Sequence, residues 1–346
     1  MRIEPDDLNQ TGLLELLRDR YLLEVVGLTF VPYGIDSWSY VATCRDGSRA
    51  FVKLTRREPS TTATASEIPL MAALAAGLVS VPRPVVDRGG GFVSALDGYD
   101  VQVLEYLEGR TLEEEAAWPD DLYARVAETV AAVHASTGAV RQLVERVEDY
   151  DLPFLPRFAA TLTAIEVGGP LPASDETLAR LRGMAAPRAR ELRAGIVRLE
   201  RLRDLARVRH SDDVLCHTDI WGSNLLLSND GMLHLLDWNG ALIGPPERDL
   251  FMFAGTTFFP AGRFGWFLDR YEAAFRRIPL EADTFGFCFY RRNLEDLAGF
   301  VASIVEGRNE AMAPAAMLAI VADLLAEMPL IEGQINSVRE VLAARS

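Results

Sequence analysis

The spacing of apolar residues changes character near residue 110. Before it, short runs dominate: Glu24–Pro32, Ser39–Cys44 and Ala50–Leu54 read as three strands, with Asp46-Gly47 as the hairpin turn between the last two. Ahead of them, Leu13–Leu23 carries apolar residues at helical spacing. After Val81-Pro82-Arg83-Pro84, the runs Phe92–Leu96 and Tyr99–Leu104 flank Asp97-Gly98 and make a further hairpin. From Thr111 onward the periodicity is helical. Leu122–His134 has Leu122, Val126, Val130 and Val133 on one face, with His134 as a packed, hydrogen-bonded residue at its end. Phe154–Ile165 and Leu178–Val208 follow, the second broken near Pro187. Phe251–Phe259, Phe264–Phe275, Phe285–Phe289 and Met312–Met328 supply core, and the chain closes on a helix. The aromatic stripe Trp266, Phe267, Tyr271 and Phe275 is read as core. This predicts an α+β fold, β-rich at first and mostly helical afterwards.

One segment breaks the helical rhythm. Between Val214 and Leu250, strand-like runs return at Val214–Cys216, Asn224–Leu227 and Leu233–Leu236, with Ser228-Asn229-Asp230-Gly231 as a turn. Each outer run leads into an acidic residue: the first into His217-Thr218-Asp219, the last into Asp237-Trp238. Folding the hairpin brings Asn224 and Asp237 to the same end of neighbouring strands, beside the loop that carries Asp219. Oxygen ligands so arranged suit Mg²⁺, which prefers one or two carboxylates together with substrate phosphates.

Composition narrows the classes. A chain of 346 residues with 49% hydrophobic and 25% charged residues suits one large or two modest globular domains. No apolar run approaches the roughly 20 residues of a membrane span, and MRIEPDDLNQ lacks the pattern of a signal peptide. Cys44, Cys216 and Cys288 are too scattered for a disulfide framework or a zinc site, so a cytoplasmic protein is expected. A net charge of −15 disfavours nucleic acid. It would steer a cationic ligand towards the protein, though keeping the protein soluble is the better explanation of it. The arginine run Arg188–Arg209 is interleaved with Glu191, Glu200 and Asp204 and reads as an ion-paired helix face.

The pattern His217-x-Asp219-x4-Asn224, followed by Asp237-Trp238 and then Pro246-Glu247-Arg248-Asp249-Leu250, resembles the catalytic loop and metal-binding aspartate of the kinase superfamily. Within it, the chain is most similar to the aminoglycoside phosphotransferase family. GIDSWSY at Gly34–Tyr40, CHTDI at Cys216–Ile220 and PPERDL at Pro245–Leu250 look most like its spectinomycin phosphotransferase branch. The resemblance runs from about Gly34 to about Phe300 and is dense around Asp219–Asp249. It implies a bilobal protein-kinase-like fold: 1–104 as nucleotide-binding lobe, 105–109 as the connection, 110–346 as catalytic and substrate-binding lobe.

It also implies roles. Asp219 would be the catalytic base, Asn224 and Asp237 the Mg²⁺ ligands, and Lys53 the residue on the ATP α/β-phosphates, paired with Glu67 on the next helix. Read alone, Lys53 in Phe51-Val52-Lys53-Leu54 is better explained as snorkelling to solvent from an edge strand, and Glu67 as complementing a helix dipole. Ser37 and Ser39 are candidates for phosphate contact in a loop that is otherwise a plain hairpin link. Glu105 and Leu107 would carry the adenine-contacting backbone. His217 and Asp249 would support the catalytic loop, Asp249 alternatively being an exposed partner of Arg248. Glu295 and Asp296 are substrate candidates, with i, i+4 pairing to Arg291 and Arg292 as the other explanation.

Departures from the protein-kinase pattern matter too. Thr218 stands where protein kinases have arginine, and only residues 238–248, eleven in all, separate Asp237 from Asp249. That leaves no platform for a protein substrate, and no activation by phosphorylation is expected. A small-molecule hydroxyl is the expected acceptor: an aminoglycoside or aminocyclitol, as in antibiotic inactivation, or a metabolic alcohol such as choline, homoserine, methylthioribose or a ketosamine. A nucleotide-binding pseudoenzyme is disfavoured because Lys53, Asp219, Asn224 and Asp237 are all present. No nucleic-acid or membrane partner is expected, and the chain would act as a monomer or homodimer.

Overall fold

The computed structural model describes residues 3–32, 34, 37–57, 67–113, 118–168, 176–208, 212–255, 261–307 and 312–345. Helix α1 (Gln10–Tyr21) starts where Asn9 caps it, Oδ1 accepting the Gly12 N–H at 2.8 Å. Leu13, Leu17 and Tyr21 recur every fourth residue as its buried stripe. Strands β1 (Val25–Val31), β2 (Trp38–Cys44) and β3 (Arg49–Arg56) follow, then α2 (Glu67–Ala75), β4 (Val93–Leu96) and β5 (Tyr99–Glu105). They form an antiparallel five-stranded sheet in the order β1-β2-β3-β5-β4. Ala50, Val52 and Leu54 of β3 join Trp38, Tyr40, Tyr99, Val101, Val103 and the α1 stripe in one core. Strand periodicity therefore turns Phe51, Lys53 and Thr55 to the other face. Lys53 lies there between Ser39 of β2 and Gln102 of β5.

That sheet belongs to a compact unit of Met1–Val147 together with Val214–Ile243. The unit also contains β6 (Gly109–Thr111), α3 (Asp120–Ala135), α4 (Thr137–Val140), β7 (Val214–Cys216), β8 (Leu225–Ser228) and β9 (Leu233–Leu235). β6, β8 and β9 form a three-stranded sheet, and β7 pairs with β10 (Leu242–Gly244). Asn224, expected as strand, ends a tight 3-10 turn, Gly222–Asn224, just before β8.

The second unit, Glu148–Asp213 with Gly244–Ser346, is helical. Its elements are α5 (Leu155–Glu166), α6 (Glu176–Ala185), α7 (Ala189–Arg207), α8 (Glu247–Leu250), α9 (Phe264–Ala274), α10 (Ala282–Glu306), α11 (Pro314–Glu327) and α12 (Ile331–Arg345). Helices α7, α11 and α12 pack around α10. Pro187 falls in the 3-10 turn that separates α6 from α7. Four of the α7 arginines are ion-paired, three of them to partners beyond the helix: Arg193 to Glu166 at 2.5 Å, Arg198 to Glu332 at 2.7 Å and Arg207 to Asp151 at 2.5 Å, with Arg203 on the neighbouring Asp204. Glu148, its side chain 2% exposed, lies 2.7 Å from Arg291 and 3.0 Å from Arg248, the second contact lacking hydrogen-bond alignment. Arg248 is thus paired with Glu148, and Asp249 is fully buried.

The helical run Pro314–Arg345 is long and apolar enough by length and composition to cross a membrane. Here Met317, Leu318, Val321, Leu325, Ile331, Ile335 and Val338 form a buried face, and Asp323, Glu327 and Glu332 interrupt the run. The three cysteines are buried and form no disulfide, and burial pushes the Cys288 thiol up to about 12. The architecture is α+β, with an antiparallel five-stranded sheet near the N-terminus and a mostly helical C-terminal part.

Candidate active site

β7 delivers the loop His217-Thr218-Asp219. His217 is completely buried, its ring edge-on to Trp238 at 4.8 Å. Its Nε2 donates to the Leu236 carbonyl at 2.8 Å, while Nδ1 accepts the Asp219 N–H at 3.3 Å. A carbonyl can only accept, so the proton is assigned to Nε2. Asn224 closes the loop from the other side: Nδ2 donates to both the Asp219 carbonyl and Asp219 Oδ2, each at 2.9 Å. With the amide nitrogen engaged twice, Oδ1 is the atom left for a ligand. The Leu236 N–H donates to the Asn224 carbonyl at 2.8 Å, which ties this loop to the segment carrying Asp237.

Two residues here hold unusual backbone. Thr218 has φ 74° and Asp237 has φ 57°. The left-handed region costs a non-glycine residue about 1–3 kcal/mol, most for a β-branched one, so surrounding bonds must impose it. One such bond runs from Thr218 Oγ1 to the Gly240 carbonyl at 3.2 Å. A Cβ on Gly240 would run into Thr218 Oγ1 and press on the His217 carbonyl, so the close approach relies on glycine here.

Lys53 reaches this segment. Its Nζ donates to Asp237 Oδ1 at 2.9 Å and to Asn239 Oδ1 at 3.2 Å. Partial burial pushes the Asp237 carboxyl up, but the Lys53 ammonium, through charge and hydrogen bond, outweighs it and holds the group below its usual range. Burial raises the Glu67 carboxyl, and the charge of Lys53 offsets this only in part. Among the described residues no ion pair joins Lys53 to Glu67, the pair that the resemblance implies; Lys53 is paired with Asp237 instead. Glu67 has a side-chain hydrogen bond with Gln102.

The other expected residues are dispersed. Ser37 and Ser39 are buried, Ser39 directly opposite Lys53 in the β2–β3 register; Tyr33, Ile35 and Asp36 of their loop lie outside the described residues. Glu105 ends β5, and its N–H donates to the Arg83 carbonyl at 2.8 Å. Among the described residues, the Leu107 backbone makes no such bond. Glu295 and Asp296 pair with Arg291 at 3.3 Å and Arg292 at 2.7 Å, the i, i+4 arrangement. Sequence reading missed Asn239 and Arg146, whose Nη1 donates to the Asn239 carbonyl at 2.9 Å.

The first unit thus gathers one carboxylate fixed by an amide and a histidine, a second carboxylate paired with a cation and held below its usual range, and an amide oxygen with no hydrogen bond among the described residues. The donor set fits a small hard cation such as Mg²⁺, which takes oxygen ligands.

Residues 28–287 match the phosphotransferase enzyme family (APH). Protein StrN of Streptomyces griseus is 29% identical over 233 residues, 65% of this chain and 69% of its own. Spectinomycin phosphotransferase APH(9)-Ia, solved in complex with ADP and spectinomycin, superposes with a TM-score of 0.77 at 15% identity, covering 95% of this chain and 99% of its own. Choline kinase LicA from Streptococcus pneumoniae gives 0.57 at 18% identity over 92% and 99%. Likeness at these identities is likeness of fold, and that fold is kinase-like.

Proposed function

We propose that this chain, which belongs to the phosphotransferase enzyme family and is a small-molecule kinase, moves the γ-phosphate of ATP, with Mg²⁺, to a hydroxyl of an aminoglycoside or aminocyclitol. The observation that carries this is the connected network of Lys53 on Asp237 and Asn224 on Asp219. Phosphoryl transfer asks for positioning and charge neutralisation rather than covalent work by the protein. Asp219 orients the acceptor hydroxyl and takes its proton. The freed oxygen bonds to the γ-phosphorus, the bond to the β,γ-bridging oxygen breaks, and ADP leaves. His217 and Asn224 fix where Asp219 points. Lys53 holds the α/β-phosphates, and Glu105 and Leu107 carry the adenine-contacting backbone. Asn224 and Asp237 would hold Mg²⁺, which supplies neutralisation of the triphosphate charge. Residues 1–104 then serve nucleotide binding and 110–346 catalysis and acceptor binding, with 105–109 connecting them.

Two observations favour a polyamine-like acceptor: the −15 net charge, which attracts cations, and the greater fold likeness to a spectinomycin phosphotransferase than to a choline kinase. A metabolic alcohol such as choline is the second reading, since choline kinase LicA shares the fold. A coupled assay of ADP release across aminoglycosides, spectinomycin, choline and sugar alcohols tests both. Turnover with an aminocyclitol is expected. Turnover with choline alone would favour the second reading, and no turnover with any acceptor would argue against a kinase.

A further inference from the structure

We infer that Asn239 is a positioning residue for Lys53, its side-chain oxygen fixing the ammonium so that one remaining proton is free for the phosphates of a bound nucleotide. The inference rests on the kinase reading above. Lysine is a flexible cation on a four-carbon stem, and a single contact leaves it considerable freedom. Here the side chain is 13% exposed and makes two contacts, one to Asp237 and one to Asn239. Because Lys53 only donates, the amide must present oxygen to it. With two of three protons placed, the direction of the third is set.

Asn239 is itself held firmly. It sits in the 3-10 turn Trp238–Gly240, closed by the Ala241 N–H donating to the Trp238 carbonyl at 3.0 Å. Trp238 anchors the turn in the core, 1% exposed, with Nε1 donating to the Leu235 carbonyl at 3.2 Å. Arg146 grips the Asn239 carbonyl, and the Arg146 carbonyl in turn accepts the Ile243 N–H at 2.9 Å. The neutrality of the amide matters as much as its place. A carboxylate there would give the ammonium a second anion to satisfy and would repel a triphosphate; an amide oxygen holds the cation without competing in charge.

Calorimetric titration with ADP and with adenosine tests this without any acceptor. Asn239→Ala should weaken ADP about tenfold, the loss of a hydrogen bond to a charged group that positions a phosphate contact. Adenosine, which has no phosphate, should bind within about twofold of wild type. In a Lys53→Met background, Asn239→Ala should change ADP affinity by less than about twofold, because the two residues act through one another. Three results would overturn the inference: unchanged ADP affinity in Asn239→Ala, parallel loss of adenosine (a collapsed turn), or a full effect persisting without Lys53. Wild-type protein that binds no ADP would remove the kinase reading and this inference with it, which separates the two failures.

Discussion

Asp237 and Glu67 both feel the charge of the Lys53 ammonium, and their surroundings push them in opposite directions. Burial raises Glu67, above its ordinary 4.5, and the charge of Lys53 does not fully offset it. A folded value above the unfolded one means that the folded state binds the proton more readily. Stability is then greatest below 4.5 and falls as pH rises towards the raised value. Glu67→Gln removes that penalty while keeping shape and hydrogen bonding. It should melt like wild type near about pH 4 and higher than wild type near about pH 8; equal or lower melting at the higher pH would show that Glu67 gains more from Lys53 than burial costs it. Asp219 is a different case, because its task is to accept a proton from an acceptor. Asp219→Ala should lower kcat by about 10²–10⁴-fold while ADP binding by calorimetry stays near wild type; an unchanged kcat would exclude it as base. Asp219, Asn224 and Asp237 were legible in the sequence because their spacing is local. Asn239 was not, since its partner lies 186 positions away and an asparagine beside a tryptophan carries no signal of its own.

Elements were legible where period and turn chemistry agree. Asp46-Gly47 marked the hairpin between β2 and β3, and Asp230-Gly231 the one between β8 and β9, whereas the apolar run around Lys53 did not announce which face the lysine takes. The backbone of Thr218 and Asp237 was hidden: threonine disfavours the left-handed region, so nothing local announces it, and only the packed loops impose it. Gly240 is the element-scale counterpart of that strain. Gly240→Ala would force a Cβ into Thr218 Oγ1 and, at 3.2 Å, towards the His217 carbonyl, which is backbone and cannot swing away. A loss of about 1–3 kcal/mol is expected, together with weaker ADP binding because Asn239 and Asp237 shift with the turn. Gly183 offers the opposite sign. It sits inside α6, exposed, with no atom within 4 Å of an added Cβ, so Gly183→Ala should gain about 0.5–1 kcal/mol of helix stability. Urea unfolding of both variants decides: if Gly240→Ala is as well tolerated as Gly183→Ala, the close approach at residue 240 is not a constraint.

At the scale of the molecule, the α+β class and the helical second part followed from period alone, but the grouping of segments did not. A boundary drawn where strands give way to helices falls near residue 105, whereas the first compact unit continues to Val147 and takes back Val214–Ile243. That return is what lets β3 and the segment after β9 share Lys53 and Asp237, and no composition shift marks it. The second unit likewise joins distant segments, through Glu148 held between Arg248 and Arg291, whose side chains are 12% and 14% exposed. A buried carboxylate shared by two guanidiniums gains little over an apolar replacement of the whole cluster, but removing the carboxylate alone leaves Arg248 without its buried partner and Arg291 with only the half-exposed Glu295. Glu148→Ala should therefore cost about 3–5 kcal/mol of unfolding free energy. Glu295→Ala removes a carboxylate that is 45% exposed from the same Arg291 and should cost at most about 1 kcal/mol. Both variants take a carboxylate from Arg291, one that is buried and shared with Arg248 and one that is half-exposed and not shared. Were the two variants to unfold at the same urea concentration, Arg248 and Arg291 would have to be satisfied by other groups, and Glu148 would not be what ties residues 148, 248 and 291 together.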